Sequence, residues 1–173
     1  MKNVFFSHWQ CSICGHTYQR DELRYLCPIC SRKYRPGTPL PGVLEAVFDY
    51  DSIGLAAREL ISSEAGIQEF IDLFSAVESD FYPPLPVGLT PFYSAEGLSH
   101  ENLWLKNDAL NPSGSSKDRA SILMVAEAKR LGIKEIVCAS TGNAASSLAA
   151  CAASAGFKAV IFAPASAPLA KLV

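Results

Sequence analysis

The chain has 173 residues, 49% of them hydrophobic and 18% charged, with a formal net charge of −2 at neutral pH. That content can bury a core and excludes a disordered chain, and the balance of charge leaves no basic footprint for a nucleic acid. No run of about 18 uninterrupted apolar residues is present, so no membrane-spanning helix is expected. The opening "MKNVFFSHWQCSIC" carries too short an apolar patch for a secretory signal. A cytoplasmic location is the default that follows. The six cysteines then read as thiols or metal ligands more readily than as disulfides.

Four of those cysteines fall in "CSICGHTYQRDELRYLCPIC", at Cys11, Cys14, Cys27 and Cys30. Each Cys-x-x-Cys pair offers two thiolates from one tight turn, and the twelve residues between the pairs can bring both onto one tetrahedral ion. With four protein ligands the site would be closed and structural. Zinc is the expected ion, and spacing alone leaves iron open. The alternative is four reduced thiols in a ribbon that no longer takes metal. Gly15 follows the first pair, as such turns favour, whereas Ser31 stands where a second glycine is expected. This four-cysteine, zinc-ribbon-like unit is assigned residues 1–34. "RPGTPLPG", Arg35 to Gly42, reads as a linker into a second unit, residues 35–173. "VLEAVFDYDS" predicts a strand entering a turn, and residues 54–78 are expected to be largely helical. "FYPPLPVGLTPFYS" must be extended loop and short strand because of its prolines. "NLWLKNDA" is a further short strand.

From there the pattern turns regular. "SSKDRASILMVAEAKRLG" carries mostly a helical stripe at Ala120, Leu123, Met124, Glu127/Ala128 and Leu131, with Ser115 or Ser116 to cap it and Gly132 to end it. "KEIVCAS" predicts a buried strand. "TGNAASSLAACAASAG" predicts a loop opening a small-residue helix closed by Gly156. "FKAVIFAP" predicts a second strand, and "SAPLAKLV" the start of another helix. Strands alternating with helices argue for an α/β unit with a parallel sheet. That last helix has barely begun at Val173, so a longer protein is expected.

The chemistry concentrates in "DALNPSGSSKDRAS", Asp108 to Ser121, where Lys117 stands at the change from loop to helix. A helix start exposes free N–H groups and a positive dipole end, which disfavours added positive charge. A lysine there is expected to have a lowered pKa, and the neutral amine is the form that makes imines with aldehydes. The plainer reading is an ordinary first-turn surface lysine. "CASTGNAASS" repeats the geometry: Ser140, Thr141, Gly142 and Asn143 lie between a strand and a helix, where N–H groups and hydroxyls can face a carboxylate or phosphate. A plain capped turn is the alternative there.

Taken together, "NPSGSSKDRAS" and "STGNAASSLAACAASAG" resemble the fold type II pyridoxal-phosphate enzymes, which include threonine synthase, threonine dehydratase and cysteine synthase. "GLTPFYSAEGL", Gly88 to Leu98, and a cysteine ribbon ahead of "VLEAVFDYD" resemble the threonine-synthase branch, so the resemblance covers residues 11–173. It implies the N-terminal portion of the parallel-sheet α/β fold of that class, bearing pyridoxal 5'-phosphate, beside a zinc ribbon. By the same resemblance Lys117 would form the internal aldimine and later act as base at the substrate's α-carbon. Asn143 would hydrogen-bond the cofactor's phenolic oxygen. Ser140, Thr141, Gly142 and Ala144 would hold the substrate carboxylate, and Asn111, Ser113 and Ser115 would shape the loop around the lysine. Lys106 matches a position that is often basic in the family. The family's later glycine-rich phosphate loop, and its hydroxyl near the pyridine nitrogen, have no room before Val173, so little turnover is expected from these residues alone.

The implied reaction is conversion of O-phosphohomoserine and water to threonine and phosphate. A threonine/serine dehydratase or cysteine-synthase-like enzyme is the sibling reading, and a non-catalytic zinc-ribbon α/β binding protein is the alternative from another class. The implied partners are a small amino-acid substrate and a second copy in a homodimer, with no nucleic acid and no membrane. His8, His16 and His100 read as surface residues, and Trp9 and Trp104 as packing. Cys138 and Cys151 read as core thiols. Asp118 and Arg119 read as ties from the helix start to its neighbours.

Overall fold

The computed structural model describes residues 5–22, 25–61, 71, 73–95 and 102–168. It divides into two compact units, Met1–Glu78 and Ser79–Val173. None of the described helices is long and apolar enough to cross a membrane. His100 lies outside the described residues, as does most of the helix expected at the C-terminal end.

In the first unit, β1 (Phe6–Cys11) is the middle strand of three. β2 (Thr17–Tyr18) pairs antiparallel on one side, with Trp9 opposite Tyr18. β3 (Leu44–Phe48) pairs antiparallel on the other, with Trp9 opposite Ala46. The first cysteine turn closes the β1–β2 hairpin: the Cys11 N–H bonds the His16 carbonyl at 2.9 Å, and Gly15 turns the chain at φ 70°. Phe6 packs on Trp9 and edge-on against Phe48, with ring centroids 5.0 and 5.7 Å apart. Trp9 Nε1–H donates to the Arg20 carbonyl at 3.1 Å. Arg20 in turn grips both oxygens of Glu78 at 2.6 and 2.7 Å, a two-pronged pair with both side chains nearly buried.

Because β3 belongs to this sheet, the compact unit runs well past the boundary expected after residue 34. "RPGTPLPG" is an internal loop of the unit. The turn expected after β3 is the start of helix α1 (Tyr50–Ile61). Asp49 caps it, accepting the Ser52 N–H at 3.1 Å and the Ser52 hydroxyl at 2.7 Å.

The second unit carries an antiparallel pair, β4 (Phe92–Ser94) and β5 (Trp104–Lys106). An alternating run follows: α2 (Asp118–Arg130), β6 (Glu135–Ala139), α3 (Asn143–Ser154) and β7 (Lys158–Phe162). β6 and β7 pair parallel, Glu135 opposite Lys158 through Ala139 opposite Phe162, as the alternation predicts. Both helices end on the predicted glycines. Gly132 and Gly156 adopt φ 71° and 70°, and the N–H groups of Ile133 and Phe157 reach back to the Ala128 and Ala152 carbonyls at 2.9 and 2.8 Å. That is the Schellman closure, which needs a left-handed residue after the last turn.

Two further expectations need correction. The buried face of α2 is Asp118, Ser121, Ile122, Val125, Ala126 and Ala128, whereas Leu123 and Met124 stay 41% and 53% exposed. Of the predicted stripe only Ala128 is buried, because two members of the buried face, Asp118 and Ser121, are polar residues with bonded partners. β6 is not the buried strand that its apolar run predicts: only Ile136 is buried, and Val137 is 55% exposed. The parallel sheet has two strands among the described residues, and the core of Val87, Ile122, Val125, Leu148, Cys151 and Ala152 covers one of its faces.

Candidate active site and metal centre

The four sulfurs of Cys11, Cys14, Cys27 and Cys30 all lie within 4.8 Å of one another, with Cys14 and Cys27 3.8 Å apart. A tetrahedral ion with metal–sulfur bonds of about 2.3 Å sets its ligands about 3.8 Å apart, so the set fits a four-sulfur metal centre. No disulfide competes for these thiols. Cys11, Cys27 and Cys30 are buried, and Cys14 is exposed.

The two turns are built alike: Gly15 N–H bonds Cys11 O, and Ser31 N–H bonds Cys27 O, each at 3.0 Å. Ser31 replaces the expected glycine at no cost, because the second turn runs into a 3-10 helix, Ser31–Lys33, with no left-handed residue required. The glycine that matters to the second turn is Gly42. It sits at φ 82°, and a Cβ there would lie 3.0 Å from Cys30 Cβ and 3.2 Å from Cys27 Cβ. Its carbonyl also accepts the Cys27 N–H at 2.8 Å.

The thiols are electrostatically unequal. Burial pushes the Cys27 thiol up, but the Tyr18 hydroxyl and the backbone N–H groups of Cys30 and Ile29 outweigh it and bring it to about 6. Burial and the neighbouring sulfurs push Cys30 up to about 12. The Cys14 backbone N–H leads in holding Cys11 below its ordinary value. Metal uptake displaces these protons, so the cluster enters its bound form from a partly ionised start. The histidines stand aside: His8 Nδ1 bonds the Ser7 hydroxyl at 2.8 Å, and the His16 ring packs tilted against that of Tyr18.

In the second unit, Lys117 is the residue from which α2 departs, in right-handed helical geometry, and it is exposed. Its amine makes no hydrogen bond or ion pair among the described residues. The loop before it is pinned at three points. Asn111, 4% exposed, accepts the Gly88 N–H at 3.0 Å and donates to the Asp108 carbonyl at 3.0 Å. Ser115 Oγ accepts the Lys117 N–H at 3.2 Å within the turn before the helix; the helix itself starts from Lys117 with no side-chain cap, so neither Ser115 nor Ser116 is the cap residue that the sequence suggests. The fully buried Asp118 accepts the Ser113 N–H at 2.8 Å and the Ser113 hydroxyl. Burial opposes its ionisation, but the hydrogen bonds from Ser113 and Ser147 prevail and hold the carboxyl below its ordinary value.

A second tie joins the "GLTP" stretch to the same loop. Arg119 donates to both oxygens of Asp108 at 2.8 and 2.7 Å and to the Gly88 carbonyl at 3.1 Å. The Thr90 hydroxyl donates to Asp108 at 2.7 Å. The Arg119 guanidinium, then Thr90, holds Asp108 well below the usual carboxylate range. Lys106 Nζ is engaged with the Thr90 carbonyl. Asp118 and Arg119 are therefore ties at the helix start, as their positions suggest. Cys151 is a fully buried core thiol, pushed up by burial to about 11, and Cys138 is half-buried.

Ser140 to Ala144 form the turn from β6 into α3. The Ser140 N–H is taken by the Phe162 carbonyl at 3.1 Å, and the Gly142 N–H by Ser140 Oγ at 3.2 Å. The N–H groups of Thr141, Asn143 and Ala144 have no partner among the described residues, so those three are free to meet an anion. The two helix starts are coupled by a buried contact: Ser147 Oγ lies 2.7 Å from Ser121 Oγ. Ser121 is one turn beyond Lys117, and Ser147 one turn beyond Asn143, so Lys117 and Asn143 lie on the helix faces joined by that contact. Sequence reasoning passed over Ser121, Ser147 and Tyr18. Serines on a helical face carry no signal until their partner on another helix is known.

Residues 84–173 match the family described as pyridoxal-phosphate dependent enzyme, and residues 9–34 match the rubredoxin-like domain of rubrerythrin. The threonine synthase of Methanocaldococcus jannaschii is 34% identical over 161 residues, covering 90% of this chain and 37% of that protein. The threonine synthase of Methanosarcina acetivorans is 34% identical over 164 residues, covering 91% and 37%. That of Halalkalibacterium halodurans is 37% identical over 101 residues, covering 57% and 28%. The chain thus spans a little over a third of the length of the first two relatives. With its second unit matched almost from end to end, the chain belongs to the pyridoxal-phosphate-dependent enzyme family.

Proposed function

We propose that this chain carries the lysine-bearing part of a threonine-synthase-like lyase, which converts O-phosphohomoserine and water to threonine and phosphate. The observation that carries the reading is the Ser121–Ser147 contact, which couples the starts of α2 and α3 one turn inside Lys117 and Asn143. Similarity to threonine synthases over nine-tenths of the chain supports the substrate class. The residues present suit pyridoxal phosphate: Lys117 offers an amine with no competing partner, whereas Lys106 is already engaged with Thr90. Bound there, the cofactor supplies an electron sink for charge developing at the substrate's α-carbon.

The chain's own residues do the rest. Lys117 Nζ holds the cofactor and moves the proton at the substrate's α-carbon. The Asn143 side chain hydrogen-bonds the cofactor ring. The N–H groups of Thr141 and Ala144 at the start of α3 hold the substrate carboxylate, with Ser140 and Gly142 setting the turn that presents them. Asp118 and Asn111 keep the loop closed beneath Lys117. In the first unit, Cys11, Cys14, Cys27 and Cys30 hold a structural metal, with zinc the favoured ion.

Incubation of the chain with pyridoxal phosphate, borohydride reduction and peptide mass mapping test the site. Modification confined to Lys117, and lost in Lys117→Ala, is expected. Labelling scattered over exposed lysines would overturn it. Phosphate release from O-phosphohomoserine, measured against 2-oxo acid release from threonine or serine, tests the substrate on the intact enzyme.

A further inference from the structure

The cysteine cluster contains one interaction that its role as a ligand set does not require. The Tyr18 hydroxyl lies 3.0 Å from Cys27 Sγ, with Tyr18 4% exposed and Cys27 fully buried. A thiolate bound to a metal carries no proton, so the phenol must be the donor. Tyr18 is held from two sides, by its backbone pairing opposite Trp9 across the hairpin and by the His16 ring, tilted 57° against its own with centroids 4.9 Å apart. Cys27 is equally confined: its N–H is bonded to the Gly42 carbonyl, and Gly42 lies so near that a Cβ there would come 3.2 Å from the Cys27 Cβ. Among the described residues no other side-chain hydroxyl reaches one of the four sulfurs.

We propose that Tyr18 is a positioning residue of the metal centre, its hydroxyl donating to the metal-bound sulfur of Cys27 and so fixing that ligand and drawing charge from it. The proposal rests on the four-sulfur metal reading. A donor to a ligand's remaining lone pair orients the ligand and tunes its donor strength, and loss of such a partner costs on the order of tenfold in metal retention. Stabilised sulfur lone pairs also raise the energy of sulfur-to-metal charge transfer.

The test loads the whole chain with cobalt(II) and compares wild type with Tyr18→Phe, which removes only the hydroxyl. The expected result is a charge-transfer band moved to longer wavelength and about tenfold weaker retention against a competing chelator, with unchanged far-ultraviolet circular dichroism. Trp9→Phe deletes a different hydrogen bond of the same sheet, and its band is expected to stay at the wild-type position. A Tyr18→Phe protein with wild-type band and retention overturns the role of Tyr18 and leaves the metal reading standing. A wild-type chain that takes up no cobalt overturns both. Should Tyr18→Phe fail to fold, wild-type protein loaded with a spin-half cadmium isotope decides: a scalar coupling from the metal to the Tyr18 hydroxyl proton is expected. Its absence, with couplings to backbone N–H protons present, overturns the proposal.

Discussion

Replacing Asp118 by alanine is expected to destabilise the second unit by about 3–7 kcal/mol. The carboxylate is fully buried, and it accepts both the N–H and the hydroxyl of Ser113. Hydrogen bonds to a charged group contribute about 1.5–3 kcal/mol each, and a negative charge in the first helical turn adds about 0.3–1 kcal/mol. A unit of this size is stable by roughly 5–14 kcal/mol, so the change removes a large share of the whole. Asp118→Asn should cost less, about 1–2 kcal/mol, because the amide can still accept one bond and donate another to Ser113. The chain has two tryptophans, Trp9 and Trp104, one in each unit, so fluorescence in a Trp9→Phe background follows the second unit alone. Urea unfolding with slopes compared between variants gives the difference. If Asp118→Ala lies within about 1 kcal/mol of its parent, the clasp on Ser113 is not what holds the loop that places Lys117.

Gly42→Ala should destabilise the first unit by about 1–2 kcal/mol and weaken metal retention, since it forces a side chain into a left-handed backbone against the cysteines; chelator competition and the Trp9 unfolding transition read both effects. Removing the metal with a strong chelator, or Cys11→Ser, should abolish the cooperative Trp9 transition, because the binding energy of such a centre is folding energy. Asp108 and Asp118 are both held below their ordinary values in the folded chain. Their stabilising contribution is therefore present above the unfolded value near 3.9 and lost as pH falls through the lower folded values. The urea midpoint of the second unit should begin to drop as pH falls below about 4 and keep dropping at lower pH, and drop less in Asp108→Asn.

What could be read along the chain was local. The spacing of Cys11, Cys14, Cys27 and Cys30 is set by two short turns, and the four sulfurs do converge. Gly132 and Gly156 end their helices because the left-handed closure is a property of a few adjacent residues. Parallel pairing of β6 with β7 follows from the length of the crossover between them. What could not be read was distant. β3 joins β1 from across a proline-rich loop, and no pattern in "VLEAVF" names its partner strand. The Tyr18–Cys27 bond depends on where the hairpin aims one phenol. The buried serines of α2 and α3 look like solvent-facing residues until the two helices are side by side.

The place of Gly42 bears on how this protein could have been assembled or could be taken apart. The cysteine segment that matches the rubredoxin-like domain stops at residue 34, which invites the view of a cassette added to an enzyme. Excised there, it would lose the carbonyl that receives the Cys27 N–H, the Val43 carbonyl that receives the Ser12 N–H and hydroxyl, and the third strand along β1. The smallest portable piece therefore reaches at least through Phe48. A graft cut at the sequence-similarity boundary would transplant the ligands without the scaffold that aims them.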